Sequence, residues 1–180
     1  CLNHRIQKFT LSGEFVSKAG SLGSGNDEFN NLRCIRYYNG KLYISDGGPN
    51  LRIKIHSAED LSFIELFNFG HDPYGLWVDP INNFLIVKDW QTIYVYNLSN
   101  WSEVRHKTLG ASGAGLLLLD NYVYTVDYNN HKIIRLNYDD LSDAGSYSPG
   151  TGSNPGQLNS PLHLNFWQER NLILISNYGS

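Results

Sequence analysis

LYISDGGPNLRIKIH, residues 42–56, decides how this chain is read. A run of alternating character ends in Asp46, a short turn follows, and a second alternating run starts at Asn50. The pair returns as VYTVDYNNHKIIRL at 123–136. Its second half appears once more as NHRIQKF, residues 3–9, with no strand-like run in front of it. Aligned isoleucines Ile6, Ile53, Ile93 and Ile133 are spaced by 47, 40 and 40 residues. The positions ending the preceding runs, Asp46, Asp89, Asp127 and Ser176, are spaced by 43, 38 and 49. Two markers thus give one period, roughly the 40–45 residues of a four-stranded propeller blade.

Strands inside each repeat follow from alternation and turn residues. In the second repeat they are YGLWVD (74–79), FLIVKD (84–89), TIYVYN (92–97) and the more polar SEVRHKTL (102–109). Polarity rises along the repeat, which predicts a first strand buried at a central axis and a fourth at the outer edge. The last repeat has a first strand, PLHLNF (161–166), and a second, NLILIS (171–176), then stops. HRIQKF (4–9) and GEFVSKAG (13–20) are in phase with its missing third and fourth strands. The expected architecture is an all-β propeller of four blades, at about 32–67, 73–109, 113–147 and 160–180 plus 3–20. The last blade is then completed by both termini, either in a complete four-bladed ring or in part of a larger one. No window sustains helical periodicity, and a β-sandwich with chance internal similarity is the competing all-β reading.

Composition agrees with strands and tight turns. In 180 residues, 41% are hydrophobic, and there are 17 Gly and 12 Tyr. The longest apolar run, GAGLLLL at 113–119, falls far short of the roughly 20 residues that span a bilayer. Net charge is −3 with no block of basic residues, which argues against a generic nucleic-acid surface. There is no Met, even at position 1, so the sequence reads as a processed or trimmed chain. No targeting segment is visible in it. Two cysteines, Cys1 and Cys34, allow one bridge or two thiols. NLSNWS at 97–102 holds overlapping glycosylation sequons at Asn97 and Asn100, which lean the reading towards secretion.

NHRIQKF, followed by GSLGSGNDEFNNLRCIRYYNGKLYISD, resembles the NHL repeat family. Gly23, Gly25, Phe29, Tyr43 and Asp46 fall on that family's pattern, and so do Gly150, Gly152, Gly156, Leu158 and Pro161 in the last repeat. The middle repeats lack the long Gly-rich link. The resemblance implies a propeller, usually six-bladed, and says little about function. Some relatives are peptide-amidating lyases with His ligands and a reactive Tyr and Arg at the channel. His71, His163, Tyr74 and Arg33 match these by region only. Other relatives bind RNA, which asks for more positive charge than this chain carries.

The starts of the first strands ring one channel mouth: Arg33-Cys34, Tyr74-Gly75, Ala114-Gly115 and Leu162-His163. Trp90 and Tyr128, in second-to-third strand loops, open on the same face. The candidate partner-binding residues are therefore Arg33, Tyr74, His71, His163, Trp90 and Tyr128. Arg36, Arg52, Lys54 and Lys132 are expected to add charge there. Tyr37, Tyr38, Trp77, Trp101 and Trp167 are read as packing. Cys34, His163 and His71 form a thin candidate set for zinc. The recurrent Asp46, Asp89 and Asp127 are read as turn-fixing side chains, and the Gly-rich links as connectors rather than phosphate loops. No catalytic signature and no cofactor motif is present. The expected function is a non-catalytic scaffold for a protein or peptide, with a metal-dependent lyase or hydrolase and an RNA-binding face as the alternatives.

Overall fold

A computed structural model describes residues 3–179. Strands β1 (Ile6–Phe9) and β2 (Phe15–Ala19) form an antiparallel hairpin, and β3 (Ser21–Leu22) and β4 (Glu28–Phe29) a short parallel pair. Three four-stranded antiparallel meanders follow. The first is β5 (Asn31–Tyr38), β6 (Lys41–Gly47), β7 (Arg52–Ser57) and β8 (Phe63–Asn68). The second is β9 (Gly75–Asp79), β10 (Phe84–Lys88), β11 (Thr92–Asn97) and β12 (Glu103–Thr108). The third is β13 (Leu116–Leu119), β14 (Tyr122–Asp127), β15 (Lys132–Asn137) and β16 (Asp143–Tyr147). A final hairpin joins β17 (Pro161–Trp167) to β18 (Leu172–Asn177) through a single turn of 3₁₀ helix, Gln168–Arg170. The sheets stack face to face about a common axis, and the architecture is a β-propeller.

Local chemistry sets the strand ends. Asn39 and Gly40 both take positive φ (48° and 75°) between β5 and β6, as a two-residue hairpin turn of the primed type requires. Asp120 and Asn121 do the same between β13 and β14. The turn between third and fourth strands is built one way in all three meanders. Leu61, Trp101 and Leu141 sit in the left-handed region, with φ of 66°, 58° and 57°. Their amides donate to the carbonyls of Ser57, Asn97 and Asn137. One residue earlier, Asp60, Asn100 and Asp140 accept the amide hydrogens of Ser62, Ser102 and Ser142. The Ser62 hydroxyl and amide hold the exposed Asp60 carboxyl down to about 2.

The core lies between sheets. The first meander packs on the second through Ile53, Ile55, Leu76, Leu85 and Val87. The second packs on the third through Ile86, Val95, Val123 and Leu136. The third packs on the last hairpin through Leu117, Val126 and Leu164. Side chains from the turns cross the gaps. Trp101 stacks on Phe67 at 4.7 Å and its indole donates to Glu65. The Tyr138 hydroxyl donates to Asp79 at 2.8 Å. In the first meander the greatest burial falls on β6 and β7 rather than on β5, whereas β9 is as buried as β10 and β13 is more buried than β15. Strand β5 is half-buried, with Ile35 and Tyr37 exposed, because it faces an open central cavity.

The composite last blade does not form as expected. β17–β18 and β1–β2 remain separate two-stranded sheets, with no hydrogen-bonded ladder between them. Each hairpin is held by the meander next to it in the chain. Lys8 donates to the carbonyls of Ala58 and Glu59 in the first meander, and His4 bonds the Asn30 carbonyl. Leu164, Phe166, Ile173 and Ile175 belong to the third meander's core. Those anchors leave one long edge of β1 and one of β18 unpaired among the described residues.

The Gly-rich link 20–26 wraps two cations. The Lys54 ammonium donates to the carbonyls of Gly25, Asn26 and Glu28, and burial brings its acidity to about 8. Arg52 donates to Ser24, Gly25 and Glu28 carbonyls and pairs with the Asp46 carboxylate at 2.8 Å. A loop that turns its carbonyls inward onto cations is a connector, and it offers no cradle to a phosphate. It also takes Arg52 and Lys54 out of the expected surface charge, since both are buried.

Candidate functional site

First strands approach one another closely where they begin. A Cβ at Gly75 would lie 2.5 Å from the Ala114 carbonyl oxygen, and one at Gly115 would lie 3.2 Å from the Leu164 amide. Glycine at those positions lets neighbouring sheets converge on the axis. At the matching position of the first meander, the Ser45 hydroxyl accepts the Cys34 amide at 2.7 Å. In the last hairpin Ser176 accepts the His163 amide at 3.2 Å.

The convergent strands enclose a cavity of about 650 Å³, whose walls include Arg33, Cys34, Arg36, Tyr74, Trp77 and His163. The Arg33 guanidinium lies 3.5 Å from the Tyr74 ring centre and donates to Asp72 at 2.7 Å. Asp72 also accepts the Gly48 amide. Gly47 makes that pair fit, because a Cβ there would lie 2.1 Å from an Asp72 oxygen. Arg36 lies over Trp77, 5.4 Å from its ring centre. Burial, and then the Arg36 charge, push the His163 imidazole below its ordinary value.

From Tyr74, on the cavity wall, a line of rings runs past the starts of the neighbouring first strands, where the Trp90 carbonyl accepts the Gly113 amide and the Tyr128 and Tyr178 amides donate to the Ser112 and Ser160 carbonyls. Tyr74 lies 4.9 Å from Trp90, Trp90 lies 6.0 Å from Tyr128, and Tyr128 lies 6.2 Å from Tyr178. The line crosses the second meander, the third and the last hairpin, with Arg33 at its head. Ser176 bonds the His163 amide as Ser45 bonds that of Cys34, so the position matching Asp46, Asp89 and Asp127 is Asn177 rather than the expected Ser176. Trp90, Tyr128 and Tyr178 therefore occupy one repeat position, the residue after Asp89, Asp127 and Asn177. Asp89 accepts the amides of Gln91 and Thr92, and Asp127 accepts that of Asn130, so each carboxylate fixes the loop that holds its ring. The buried Lys88 ammonium donates to the Trp90 carbonyl.

Among the expected site residues, the structure brings together Arg33, Tyr74, Trp90, Tyr128 and, on the cavity wall, His163. His71 goes elsewhere. It stacks on Tyr94 at 5.1 Å, with Asp89 at 3.9 Å, and does not line the cavity. The zinc set is broken for that reason. Cys34 and His163 share the cavity, but among the described residues no three His, Cys, Asp or Glu side chains converge. Pairing of Cys34 with Cys1 involves a residue outside those described. Tyr178 and Asp72 were missed by sequence reasoning. Tyr178 was hidden by the one-residue offset of aligning Ser176 with Asp127; with Asn177 in that place, Asn-Tyr at 177–178 is in register with Asp-Trp and Asp-Tyr. Tyr37 and Trp167, read as packing residues, are largely exposed.

No family model matches the chain, and no curated protein matches it in sequence. Solved structures match its shape. One is a chain of the mitotic checkpoint complex, at TM-score 0.69 and 10% identity over 93% of this chain and 52% of that one. Another is Sqt1 of Saccharomyces cerevisiae, at TM-score 0.61 and 11% identity over 81% of this chain and 42% of that one. Both are WD40-type propellers, and this chain spans about half the length of each. At such identities the likeness establishes the propeller fold and leaves the subfamily open. No helix among the described residues is long and apolar enough to cross a membrane.

Proposed function

We propose that this chain is a non-catalytic binding scaffold of NHL type that holds a protein or peptide on the rim of its central cavity. One observation carries the reading: the continuous line Arg33–Tyr74–Trp90–Tyr128–Tyr178, drawn from four successive sheets. Arg, Tyr and Trp are the residue types that dominate binding energy at protein interfaces. A packing role alone would bury these rings between sheets, whereas Tyr178 is 73% exposed and Tyr74, Trp90 and Tyr128 are half-buried. The propeller frame fits this use, because its loops vary over a rigid support. The likeness in fold to a chain of the mitotic checkpoint complex is in keeping with a place in a protein assembly. NHRIQKF and the two Gly-rich links favour the NHL type over other propellers. A lyase or hydrolase draws less support, since His71 lies off the cavity. An RNA face draws less too, since Arg52 and Lys54 are buried.

Panning a phage-displayed 12-residue peptide library on the purified chain tests the reading. Binders are expected, and Trp90→Ala and Tyr128→Ala should each weaken them about thirtyfold, the effect of a hot-spot side chain. Melting temperatures should stay close to that of the parent chain. Binders indifferent to both substitutions would place the binding surface elsewhere.

A further inference from the structure

The cavity below the rim is electrically one-sided. Its walls carry the guanidinium groups of Arg33 and Arg36 and no carboxylate. The whole chain carries −3, so this is a local reversal of sign. Arg33 is compensated by Asp72, which stands outside the cavity wall. Arg36 is not compensated: among the described residues no carboxylate lies within ion-pair reach of it. Its Nη1 donates to the Ile35 carbonyl, and its Nε is buried without a partner. A second guanidinium nitrogen, Arg33 Nη1, is also buried without a partner. Buried N–H groups left unpaired are rare in folded proteins and call for an explanation. Burial first, and the Arg36 charge second, lower the His163 imidazole and favour its neutral form. Arginine over an aromatic ring, lacking an acid of its own, is an arrangement suited to taking a carboxylate from outside.

We propose that the cavity receives an acidic side chain, Asp or Glu, from the bound peptide, with Arg36 as its principal counter-charge and Trp77 beside it. This rests on the proposed function, and it adds the partner's chemistry. The rim supplies sequence-tolerant aromatic contact, and the cavity selects a segment carrying negative charge. Affinity then falls with added salt, because one partly screened charge pair contributes to it.

The same peptide library, panned in parallel on the parent chain, Arg36→Gln, Arg36→Lys and Trp90→Ala, tests the inference. Asp and Glu should be enriched at one fixed position of the parent's binders and should lose that enrichment on Arg36→Gln. Arg36→Lys should keep much of it. The best binder, made with an amidated C-terminus, should lose about tenfold in affinity when its acid is replaced by Asn or Gln. Binders that depend on Trp90 but show no acidic preference would overturn the acid and leave the rim intact. Binders that keep their acid preference on Arg36→Gln would move the counter-charge away from Arg36. Affinity that depends on a free C-terminal carboxylate would replace a side chain by a chain end. Binders indifferent to Trp90 would overturn the rim reading itself.

Discussion

Single residues in this chain act mostly by the space or the charge they withhold. Gly75 has ordinary backbone angles, yet a methyl group there would lie 2.5 Å from the Ala114 carbonyl oxygen. Neither that strand nor its neighbour can move alone, so Gly75→Ala is expected to cost about 2 kcal/mol, as overpacking does. Gly40 is the contrasting case, with open space around it and a φ of 75°, so alanine there meets backbone strain alone. Urea unfolding of the two variants should rank Gly75→Ala as the more damaging, and the reverse order would remove the close approach of sheets as its cause. His56 withholds charge. It is buried between Phe29 and Phe63 and its Nδ1–H donates to the Leu61 carbonyl. Burial, with the Lys54 charge adding to it, pushes the imidazole below its usual value. The folded chain therefore resists a proton that the unfolded chain accepts near 6.5. Stability is full above that pH and is lost as pH falls towards the lower folded value, by at most about 1.4 kcal/mol per unit. His163 is shifted the same way and adds to the slope. His56→Gln should flatten the fall in urea midpoint between pH 7 and 5, and an unchanged slope would acquit His56.

Turns carry more of the repeat than the strands do. Asp60-Leu61-Ser62, Asn100-Trp101-Ser102 and Asp140-Leu141-Ser142 make the same bonds at the same place in three meanders. The acidic or amide side chain caps the turn, and the middle residue accepts a left-handed backbone because its side chain is sheltered against the preceding sheet. Leu61 and Leu141 are buried outright, while the half-buried Trp101 is stacked on Phe67 and bonded to Glu65. Trp101→Ala should cost about 3 kcal/mol in chemical denaturation, the lower end for a truncated aromatic, since Trp101 is only half-buried. A loss below about 1 kcal/mol would show that the turn holds itself. The sequon at Asn100 takes on a second meaning here. Its Asn and Ser are the ones this turn demands, and the sister turns supply them as Asp and Ser. Strands were legible because alternation is a local property of the side chains. The turn repeat was not, because Asp-Leu-Ser and Asn-Trp-Ser look unalike until hydrogen bonds place them in register. His71 was misplaced for a similar reason: one residue before Asp72 in the chain, it turns to Tyr94 while Asp72 turns to Arg33.

At the scale of the molecule, the phase of the two termini was legible and their meeting was not. Whether a ring closes depends on the angle between successive sheets, which sums over three packed interfaces and is written in no short stretch of sequence. The aromatic rim, by contrast, needs only that neighbouring sheets present one repeat position on one face, and so Trp90 and Tyr128 were visible beforehand. In the structure β1 and β18 each have an edge with no strand partner among the described residues, and apolar side chains stand on these hairpins: Phe9, Phe15, Leu172 and Leu174, each about half exposed. Unpaired edges flanked by apolar surface pair with whatever strand they meet. Residues 1–180 expressed alone should therefore associate through these edges, giving a concentration-dependent mass above that of one chain in light scattering. Leu172→Lys sets a charge beside the β18 edge and away from the cavity wall, so it should lower the associated fraction and leave the melting transition nearly in place. A single-chain mass at every concentration would mean that the two hairpins meet in solution, closing the ring that the hydrogen-bonded ladders leave open. Retained association in Leu172→Lys would move the contact to another face, with the exposed Ile35 and Tyr37 of β5 the next apolar pair to test.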